Sequence, residues 1–525
     1  MSSQPILIAG QWRAATSRKS FAAENPATGE RLPEAFPVSE WPDCDQALAA
    51  AAAAARDLRH ASPAQIASFL NRYAERIEAR ATGLVAMAHQ ETALPKAPRL
   101  AEVELPRTTD QLRQAAAAVL DGSWCLPTID TKLNLRSVLA PLGPVLIFGP
   151  NNFPFAFNGV SGGDFAAAIA AGNPVIAKAH PCHPGTTRLL AEAALAAVRE
   201  TGLPPATVQM IYQLAPEDGV KLVADKRMGA VGFTGSRMAG LKLKAAADVV
   251  GKPFYAELSS LNPIVILPGA MAERGEKLAA EYSGSCLMAS GQLCTSPGLT
   301  MVFAGGAAEQ FITDVKAKLE NAAPAALLSA GGAHNLAVSV ATLQAAGAEL
   351  VAGGAALAGN RFANTLLRVT GEKFLASPEK LQTEAFGNAS LIMVLRDMNE
   401  AVAVLDQLEG NLTGSIFSDT QGGDDASHKI IAAQLRQRVG RLLNDKMPTG
   451  VAVSAAMNHG GPFPATGHPG FTAVGIPASL RRFAMLQCFD NVRPARLPAS
   501  LQNNNPNGNM WRLIDGRWSQ ADVNA

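Results

Sequence analysis

Two side chains of this sequence, a cysteine and a glutamate, could carry out covalent catalysis together. Cys294 lies between small and polar residues in the segment GQLCTSPG (291–298), and Glu257 follows an apolar run in FYAELSSLNP (254–263). A thiol becomes a strong nucleophile when a nearby base removes its proton, and a carboxylate can be that base. Each residue alone also has a plain structural explanation, because most free cysteines pack as small hydrophobic side chains. Only the rest of the chain decides between these interpretations.

Composition narrows the class of protein that must position these groups. The chain has 525 residues, of which 48% are hydrophobic and 17% charged, which is enough apolar material for two or three lobes. The net charge is +1 and no run of Lys and Arg favours nucleic acid or an anionic membrane, so a small neutral or anionic metabolite is the expected partner.

The cysteines and the apolar runs give expectations about the setting of the protein. The six cysteines include no C-x-x-C pair and no zinc-like cluster, so we expect free thiols, no metal and a reducing compartment. The N-terminal residues do not resemble a secretory signal, and the apolar runs are shorter than the roughly 20 residues that span a bilayer. These features predict a cytoplasmic protein without membrane segments.

The pattern from about residue 145 onwards predicts an α/β fold. Strand-like runs at 144–150 and 173–181 alternate with helical segments at 162–172 and 185–202, and the alternation continues to Glu257. Such alternation favours a doubly wound parallel sheet. Two Ala-rich and Leu-rich segments earlier in the chain, 45–62 and 65–93, are predicted to be outer helices, the second starting near Ser62 and Pro63. Cys286 lies in a predicted helix and is expected to be inert packing.

Three loops of this α/β region are the expected ligand sites, since ligands bind at the carboxyl ends of parallel strands. They are GPNNFPF (149–155), AKAHPCHPG (177–185) and GFTGSRMAG (232–240). The last loop places Gly235, Ser236 and Gly240 at a strand–helix turn, where backbone N–H groups can meet a phosphate. It departs from the G-x-G-x-x-G pattern, and alone such glycines equally well serve tight backbone geometry.

Taken together, these motifs resemble the aldehyde dehydrogenase superfamily. NNFPF (151–155), GFTGS (232–236), ELSSLNP (257–263), GQLCTSPG and TEAFGN (383–388) occur in the order and at the separations typical of that family, and the resemblance runs from about residue 25 to 490. It implies a Rossmann-type cofactor domain formed by 1–124 and 144–261 and completed by about 460–480. It also implies an α/β catalytic domain over 262–459, and an oligomerisation hairpin and C-terminal arm formed by 125–143 and 481–525.

The resemblance also implies a mechanism and its residues. Cys294 corresponds to the nucleophile that forms a thiohemiacetal and then a thioester, and Glu257 to the base that activates the hydrolytic water. Asn152 corresponds to the donor that stabilises the oxyanion together with the Cys294 backbone N–H. Phe155, Asn158 and Gln292 flank these groups in the sequence and are expected to shape the pocket.

The cofactor positions follow in the same way from the resemblance. Lys178, Gly235, Ser236, Gly240, Glu384 and Phe386 match the family's dinucleotide site. Relatives that prefer NAD often carry Glu three residues after the lysine, where this chain has Pro181. Lys178 and His180 can instead pair with a 2′-phosphate, so we predict NADP as the preferred cofactor, with NAD as the alternative. E-L-S-S replaces the usual E-L-G-G, and Asn388 replaces a proline.

The loop at 177–187 and the C-terminal tail resemble a subgroup that oxidises 2,5-dioxopentanoate (α-ketoglutaric semialdehyde) to 2-oxoglutarate. The alternatives are fatty aldehydes and succinic or glutaric semialdehyde. A non-redox esterase or thioesterase would leave Lys178, Ser236 and Glu384 without a role, and retention of Cys294, Glu257 and Asn152 argues against an inactive relative. Segment 125–143 alternates apolar and polar residues as a hairpin would, and 481–497 is its expected partner strand. Because members of the family assemble through such a hairpin and a late strand, the resemblance implies a homodimer or homotetramer.

Overall fold

The protein is described by a computed structural model over residues 3–523, so the outermost two residues of the predicted segments 1–124 and 481–525 lie outside it. The strands are β1 Ile6–Ile8, β2 Gln11–Arg13, β3 Ser20–Glu24, β4 Arg31–Ser39, β5 Thr128–Asp130, β6 Leu135–Pro141, β7 Val145–Phe148, β8 Val175–Lys178, β9 Val208–Ile211, β10 Gln213–Leu214, β11 Ala230–Thr234, β12 Phe254–Glu257, β13 Ile264–Ile266, β14 Leu299–Phe303, β15 Glu349–Ala352, β16 Ala356–Leu357, β17 Arg361–Phe362, β18 Thr365–Thr370, β19 Ala389–Leu395, β20 Asn411–Phe417, β21 Val439–Asn444, β22 Ala484–Asp490, β23 Arg512–Ile514 and β24 Arg517–Ser519. The helices are α1 Trp41–Asp57, α2 Pro63–Ala79, α3 Ala81–Thr92, α4 Leu105–Asp121, α5 Gly163–Ala170, α6 Pro184–Thr201, α7 Pro216–Val223, α8 Arg237–Val249, α9 Pro268–Leu287, α10 Gly306–Asn321, α11 Ala330–Ala345, α12 Gly371–Ala376, α13 Pro378–Leu381, α14 Met398–Gln407 and α15 Asp425–Leu435.

The first sheet confirms the predicted doubly wound architecture. Its order is β12-β11-β7-β8-β9-β1-β2, with the first five strands parallel and β1 and β2 antiparallel at one edge. The chain runs from β7 outward through β8 and β9, then returns to β11 on the other side of β7. The strand order therefore reverses between β7 and β11, and the loops after these strands splay apart to leave a crevice.

A second sheet carries the segment around the cysteine. Its order is β15-β18-β19-β14-β13-β20-β21, parallel except for β15. The central strands are buried on both faces, as expected for a parallel sheet covered by helices. Cys294 lies between the end of α9 and the start of β14, so the rigid central part of this sheet fixes its position.

A third sheet joins the two segments that the sequence predicts to form a hairpin and an arm. β5 and β6 pair antiparallel, β22 pairs with β6, and β23 and β24 extend the other edge, giving the order β22-β6-β5-β23-β24. The predicted strand pairing is thus confirmed. β22 lies at an edge and exposes Met485 and Leu486, with 46% and 64% of their surface accessible.

The helical segment 65–93 differs from the single helix predicted for it. α2 begins as predicted at Pro63, with the Ser62 side chain accepting from the Gln65 backbone N–H. Arg80 leaves helical geometry (φ −109°, ψ 11°) and divides the segment into α2 and α3. Glu91 of α3 accepts hydrogen bonds from the Gly185 and Thr186 N–H groups, so it caps the buried start of α6.

Over residues 3–523, every helix is too short or too polar to cross a bilayer. The largest hydrophobic core packs the first sheet against α1, α2, α4, α5 and α6, and two further clusters lie on the faces of the second sheet. The domain boundaries stay predictions.

Candidate active site

One cavity of about 710 Å³ lies at the carboxyl ends of β7, β8, β11 and β12. Eight of the ten residues predicted for the site line it: Asn152, His180, Gly235, Ser236, Glu257, Cys294, Glu384 and Phe386. Residues from the first sheet and from the loops of the second sheet meet here because the cavity opens at the strand-order reversal beside β7. The volume is within the range typical of cofactor sites.

The loop that leads to Cys294 has an uncommon backbone. Ala289, Ser290 and Gly291 have φ of 51°, 55° and 67°, so three successive residues adopt the left-handed region. A Cβ on Gly291 would lie 2.0 Å from the Gly387 carbonyl oxygen, so only glycine fits there. The loop is therefore packed directly against the segment that contains Glu384 and Phe386. Such strained backbone is often found where a reactive side chain must be held in place.

Cys294 meets the predicted base, Glu257, through a histidine that the sequence did not indicate. The His459 Nε2 lies 3.2 Å from the Cys294 Sγ and 3.2 Å from the Glu257 Oε1. Glu257 and His459 are each 1% exposed, and the Glu257 Oε2 has no partner among the described residues. One imidazole nitrogen thus contacts both the nucleophile and the base. The three side chains also present sulfur, nitrogen and oxygen within 4.8 Å, a donor set that zinc accepts.

His459 reaches the site through backbone pairing that is remote in the sequence. The segment after it runs beside β12, where Thr466 bridges Glu257 and the Leu258 N–H donates to the Ala465 carbonyl. The Thr472 hydroxyl accepts from the His459 backbone N–H. The motif NHGG (458–461) lies about 200 residues from Glu257, and no spacing rule connects the two. A lone histidine in a Gly-rich segment was the only signal available.

The environment of the thiol opposes its ionisation. Burial, together with the negative charge of Glu257, raises the pKa of Cys294 well above its ordinary value, while the charge of Arg107 lowers it. The resting sulfur therefore carries its proton near neutral pH. A base within hydrogen-bond distance is needed to remove it, and His459 and Glu257 occupy that place.

Two N–H donors border the position that an oxyanion on Cys294 would take. The Asn152 Nδ2 donates to the Gln292 carbonyl at 2.9 Å, which leaves its second hydrogen free. The Cys294 backbone N–H makes no hydrogen bond to any described residue. Arg99 donates to the Asn152 carbonyl at 3.1 Å and fixes that residue. This arrangement suits an oxyanion hole.

Lys178 is the last residue of β8, and His180 lies in the loop that follows it. Burial lowers the pKa of Lys178 to about 8, and burial with the nearby charges of His183 and Lys178 lowers the pKa of His180 well below its ordinary value. The His180 Nδ1 accepts from the Cys182 N–H at 3.1 Å, so a neutral ring presents Nε2–H as a donor. His180 lines the cavity, whereas Lys178 does not.

The turn after β11 places Ser236 at the start of α8, where its side chain accepts from the Ala239 N–H at 3.4 Å. Gly235 and Ser236 line the cavity beside the free N–H groups of the helix end, which attract anions. Gly240 lies inside α8 instead. A Cβ there would come within 2.3 Å of the Leu258 side chain, so this glycine permits close packing of helix and strand. Its contact with a cofactor stays a prediction.

Glu384 and Phe386 complete the opposite wall of the cavity. Burial raises the pKa of Glu384 to about 7, against the opposing effect of the hydrogen bond from the Ser260 N–H. Ser260 is part of the E-L-S-S departure. Its hydroxyl donates to Asn262 and accepts from the Leu412 N–H, which ties this turn to β20. Asn388, the other departure, donates to the Phe362 carbonyl and to Asn364. Both replacements therefore have structural partners.

The expectation that Phe155, Asn158 and Gln292 shape the cavity is wrong. Phe155 and Asn158 are 0% and 1% exposed, and Asn158 donates to Thr187 inside the core. The Gln292 side chain accepts from the Leu328 N–H instead. Two other rings from the same segment, Phe153 and Phe157, line the cavity. The prediction that Cys286 is inert packing is confirmed. This residue is buried in α9, and burial raises the pKa of its thiol to about 12.

Comparison with known proteins agrees with the motifs. A family model described as the aldehyde dehydrogenase family matches residues 12–461. The chain is 38% identical over 526 residues to alpha-ketoglutaric semialdehyde dehydrogenase 2 of Azospirillum brasilense, which covers 97% of this chain and 98% of that protein. It is 36% identical over 498 residues to alpha-ketoglutaric semialdehyde dehydrogenase of Acinetobacter baylyi, covering 92% and 93%.

Solved structures resemble the fold over nearly the whole chain. Aldehyde dehydrogenase C from Pseudomonas syringae, crystallised as a mutant with NAD+ and octanal, has a TM-score of 0.80 and covers 94% of this chain and 98% of its own. Its sequence identity is 20%, so the likeness concerns the fold alone.

Proposed function

This chain belongs to the aldehyde dehydrogenase family, and we propose that it oxidises 2,5-dioxopentanoate to 2-oxoglutarate with NADP. The observation that carries the chemical part is the contact of one imidazole nitrogen with both the Cys294 sulfur and the Glu257 carboxylate. The observation that supports the substrate is the identity of 38% and 36% to two alpha-ketoglutaric semialdehyde dehydrogenases along almost the entire chain.

The first step is attack of Cys294 on the aldehyde carbon. The His459 Nε2 accepts the thiol proton and keeps it, because the ionised Glu257 Oε1, also 3.2 Å away, stabilises the protonated ring. As the sulfur–carbon bond forms, the carbonyl electrons move to oxygen. The Asn152 amide and the Cys294 N–H donate to this oxyanion, and such a donor lowers a barrier by about 3–4 kcal/mol. A nicotinamide, when bound, supplies the hydride acceptor that turns the thiohemiacetal into a thioester.

The second step is hydrolysis of the thioester on Cys294. The Glu257 Oε2, which accepts no hydrogen bond from any described group, takes a proton from a water molecule. The oxygen of that water bonds to the acyl carbon and the sulfur leaves as a thiolate, which His459 stabilises by donating Nε2–H. The same oxyanion donors act on both tetrahedral species, so one set of groups serves two steps.

The cavity fits a dinucleotide at the strand-order reversal, with the α8 N-terminus for the pyrophosphate and Glu384 for ribose hydroxyls. We infer a preference for NADP from the loop after β8. Lys178 is cationic, His180 presents an N–H, and no carboxylate occupies position 181 to repel a 2′-phosphate. Comparison of kcat/KM with NADP and NAD tests this part, and a clear preference for NAD contradicts it.

A substrate panel tests the reaction itself. Absorbance at 340 nm is followed with NADP and 2,5-dioxopentanoate, succinic semialdehyde, glutaraldehyde or octanal. We expect the highest kcat/KM with 2,5-dioxopentanoate. A higher kcat/KM for octanal would make this a fatty-aldehyde enzyme, and absence of NADPH formation with every aldehyde would refute the redox mechanism.

We also propose that the chain self-associates through β22. This edge strand exposes unpaired backbone groups along with Met485 and Leu486, and a second copy can pair with it. Sedimentation of wild type and Leu486→Lys measures the expected loss of the dimer or tetramer. The six free cysteines suit a reducing, cytoplasmic setting.

A further inference from the structure

Arg107, on α4, carries a positive charge near the reactive sulfur that the reaction above does not use. Its Nη1 donates to the Val451 carbonyl at 2.6 Å, while Nε and Nη2 are covered from water and have no partner among the described residues. The group lies close enough to Cys294 and Glu257 for their charges to act on its pKa, which burial lowers. Two unpaired N–H groups of a buried cation are costly unless an anion joins them.

A carboxylate close to Arg107 in the sequence, that of Glu104, pairs with the neighbouring Arg99 instead. Glu104 pairs with Arg99 at 2.6 Å and also accepts from the Phe155 and Ala156 N–H groups. Both of its oxygens therefore already have partners. Arg107 forms no ion pair within residues 3–523. Arg482, which also has two unpaired nitrogens, differs because the Asp164 carboxylate lies 2.8 Å away.

Arg441 approaches the same region from β21. It donates to the Pro448 and Gly450 carbonyls, next to the Val451 carbonyl that Arg107 holds, and its Nε is buried and unpaired. The charge of Cys294 acts on this arginine too. Arg441 likewise has no carboxylate partner in the described part of the chain. Two guanidinium groups thus converge on one short segment, 448–451.

The Phe157 ring connects Arg107 to the cavity that contains Cys294. The Arg107 guanidinium lies over that ring, 5.4 Å from its centre, and the ring of His459 lies 5.9 Å from the same centre. Phe157 and Cys294 line the cavity, whereas Arg107 and Arg441 do not. Arg107 therefore packs directly against a ring that lines the cavity together with Cys294.

We propose that Arg107, assisted by Arg441, binds the carboxylate at the distal end of the substrate and so selects aldehydes that carry an anion. This proposal rests on the proposed function and names the residues that give it its substrate class. The planar guanidinium presents two parallel N–H groups, which match the two oxygens of a carboxylate. In a site shielded from water this charge-assisted pair is strong, and a neutral alkyl chain of equal length leaves the buried cation unpaired.

The test compares 2,5-dioxopentanoate with pentanal, a neutral aldehyde of the same length. Arg107→Met keeps the apolar stem and removes the charge, and we expect the ratio of the two kcat/KM values to fall about 100-fold. Arg107→Lys retains the charge near Cys294 without the fork, so the ratio falls less. Arg136→Met is the matched control. Arg136 is also buried, donates to a backbone carbonyl and has an unpaired Nε, but it lies on β6, far from the site.

The ratio of the two kcat/KM values distinguishes a loss of substrate selection from a general loss of activity. Loss of Arg107 also removes a charge that lowers the pKa of Cys294, and this effect slows both aldehydes equally. An equal loss for both, with the ratio unchanged, overturns the proposal and makes Arg107 a residue that only positions the 448–451 segment or tunes the thiol.

A second measurement needs no turnover. 2-Oxoglutarate should protect Cys294 of the wild type from iodoacetamide, and Arg107→Met should lose this protection while Arg136→Met keeps it. If the wild type prefers another anionic aldehyde, the substrate proposal fails but protection still supports the anion subsite. A wild type that prefers neutral aldehydes and gains no protection refutes the subsite.

Discussion

Cys286 and Cys294 are eight residues apart, and their surroundings give the two thiols opposite reactivity. Cys286 is buried, whereas Cys294 is half-buried and lines the cavity. Burial raises the pKa of both thiols. Around Cys286 the polar neighbours are Tyr282 and Ser390, which are hydroxyls that do not ionise at neutral pH. Around Cys294 there are an imidazole, a carboxylate and a guanidinium. Burial therefore makes a thiol inert by default, and only a proton acceptor beside it makes it a nucleophile.

Replacing each sulfur by oxygen gives the sharpest form of this comparison. Cys294→Ser removes the atom that forms the thioester, and we expect kcat to fall by about 10⁴ or more. Cys286→Ser changes a packed thiol and should leave kcat intact with a lowered melting temperature. Steady-state rates with NADP and the preferred aldehyde measure both. Retained turnover in Cys294→Ser would remove the basis of the mechanism.

The Glu257→Gln variant should lose hydrolysis more than hydride transfer. The amide keeps the size of the side chain but cannot take a proton from water, and general-base catalysis contributes about 10²–10⁴-fold. Steady-state turnover should fall by that amount while the thioester accumulates on Cys294. A single-turnover burst of NADPH followed by mass spectrometry of the acylated protein shows the trapped species. Loss of the burst itself would instead assign Glu257 to activation of the thiol.

The sequence was sufficient to predict the positions of some of these site residues but not of others. Strand ends are local features, so the alternation of apolar runs and helices correctly placed Asn152, Glu257 and Ser236 at one edge of a sheet. The cysteine loop followed from its motif. Phe155 was wrongly predicted to face the cavity, because Phe153 and Phe157 of the same segment face it instead. No periodicity of the sequence indicates which of these rings faces the cavity.

His459 and Arg107 escaped prediction for a different reason. Each contacts the site only after distant segments have paired: 459–473 beside β12, and α4 beside the 448–451 segment. Sequence separation of about 200 and 340 residues carries no local signal. The unpaired nitrogens of Arg107 exist only as a property of the folded core.

His459→Gln tests the proton path that distinguishes the two thiols. Glutamine keeps a hydrogen-bonding side chain but cannot accept and release a proton, so we expect kcat/KM to fall about 100-fold at pH 7. The loss should shrink as pH rises towards the raised pKa of Cys294, because hydroxide then replaces the missing acceptor. The rate of Cys294 alkylation by iodoacetamide against pH reports the thiolate directly. Identical alkylation profiles for the variant and the wild type would exclude His459 from this path.

The smallest predicted effect concerns the opposite wall of the cavity, where burial raises the pKa of Glu384 to about 7. The ionised carboxylate is the form that accepts from both ribose hydroxyls. It predominates above pH 7 and is lost as the pH falls below it, so cofactor affinity should decrease by about tenfold between pH 8 and pH 6. Fluorescence titration of NADPH against the wild type and Glu384→Gln measures this. The variant should bind weakly and should no longer lose affinity as the pH falls, since its amide does not titrate. Lys178 acts in the opposite direction, because it loses its charge as the pH rises. A loss of affinity at low pH that persists in Glu384→Gln would therefore place the titrating group elsewhere.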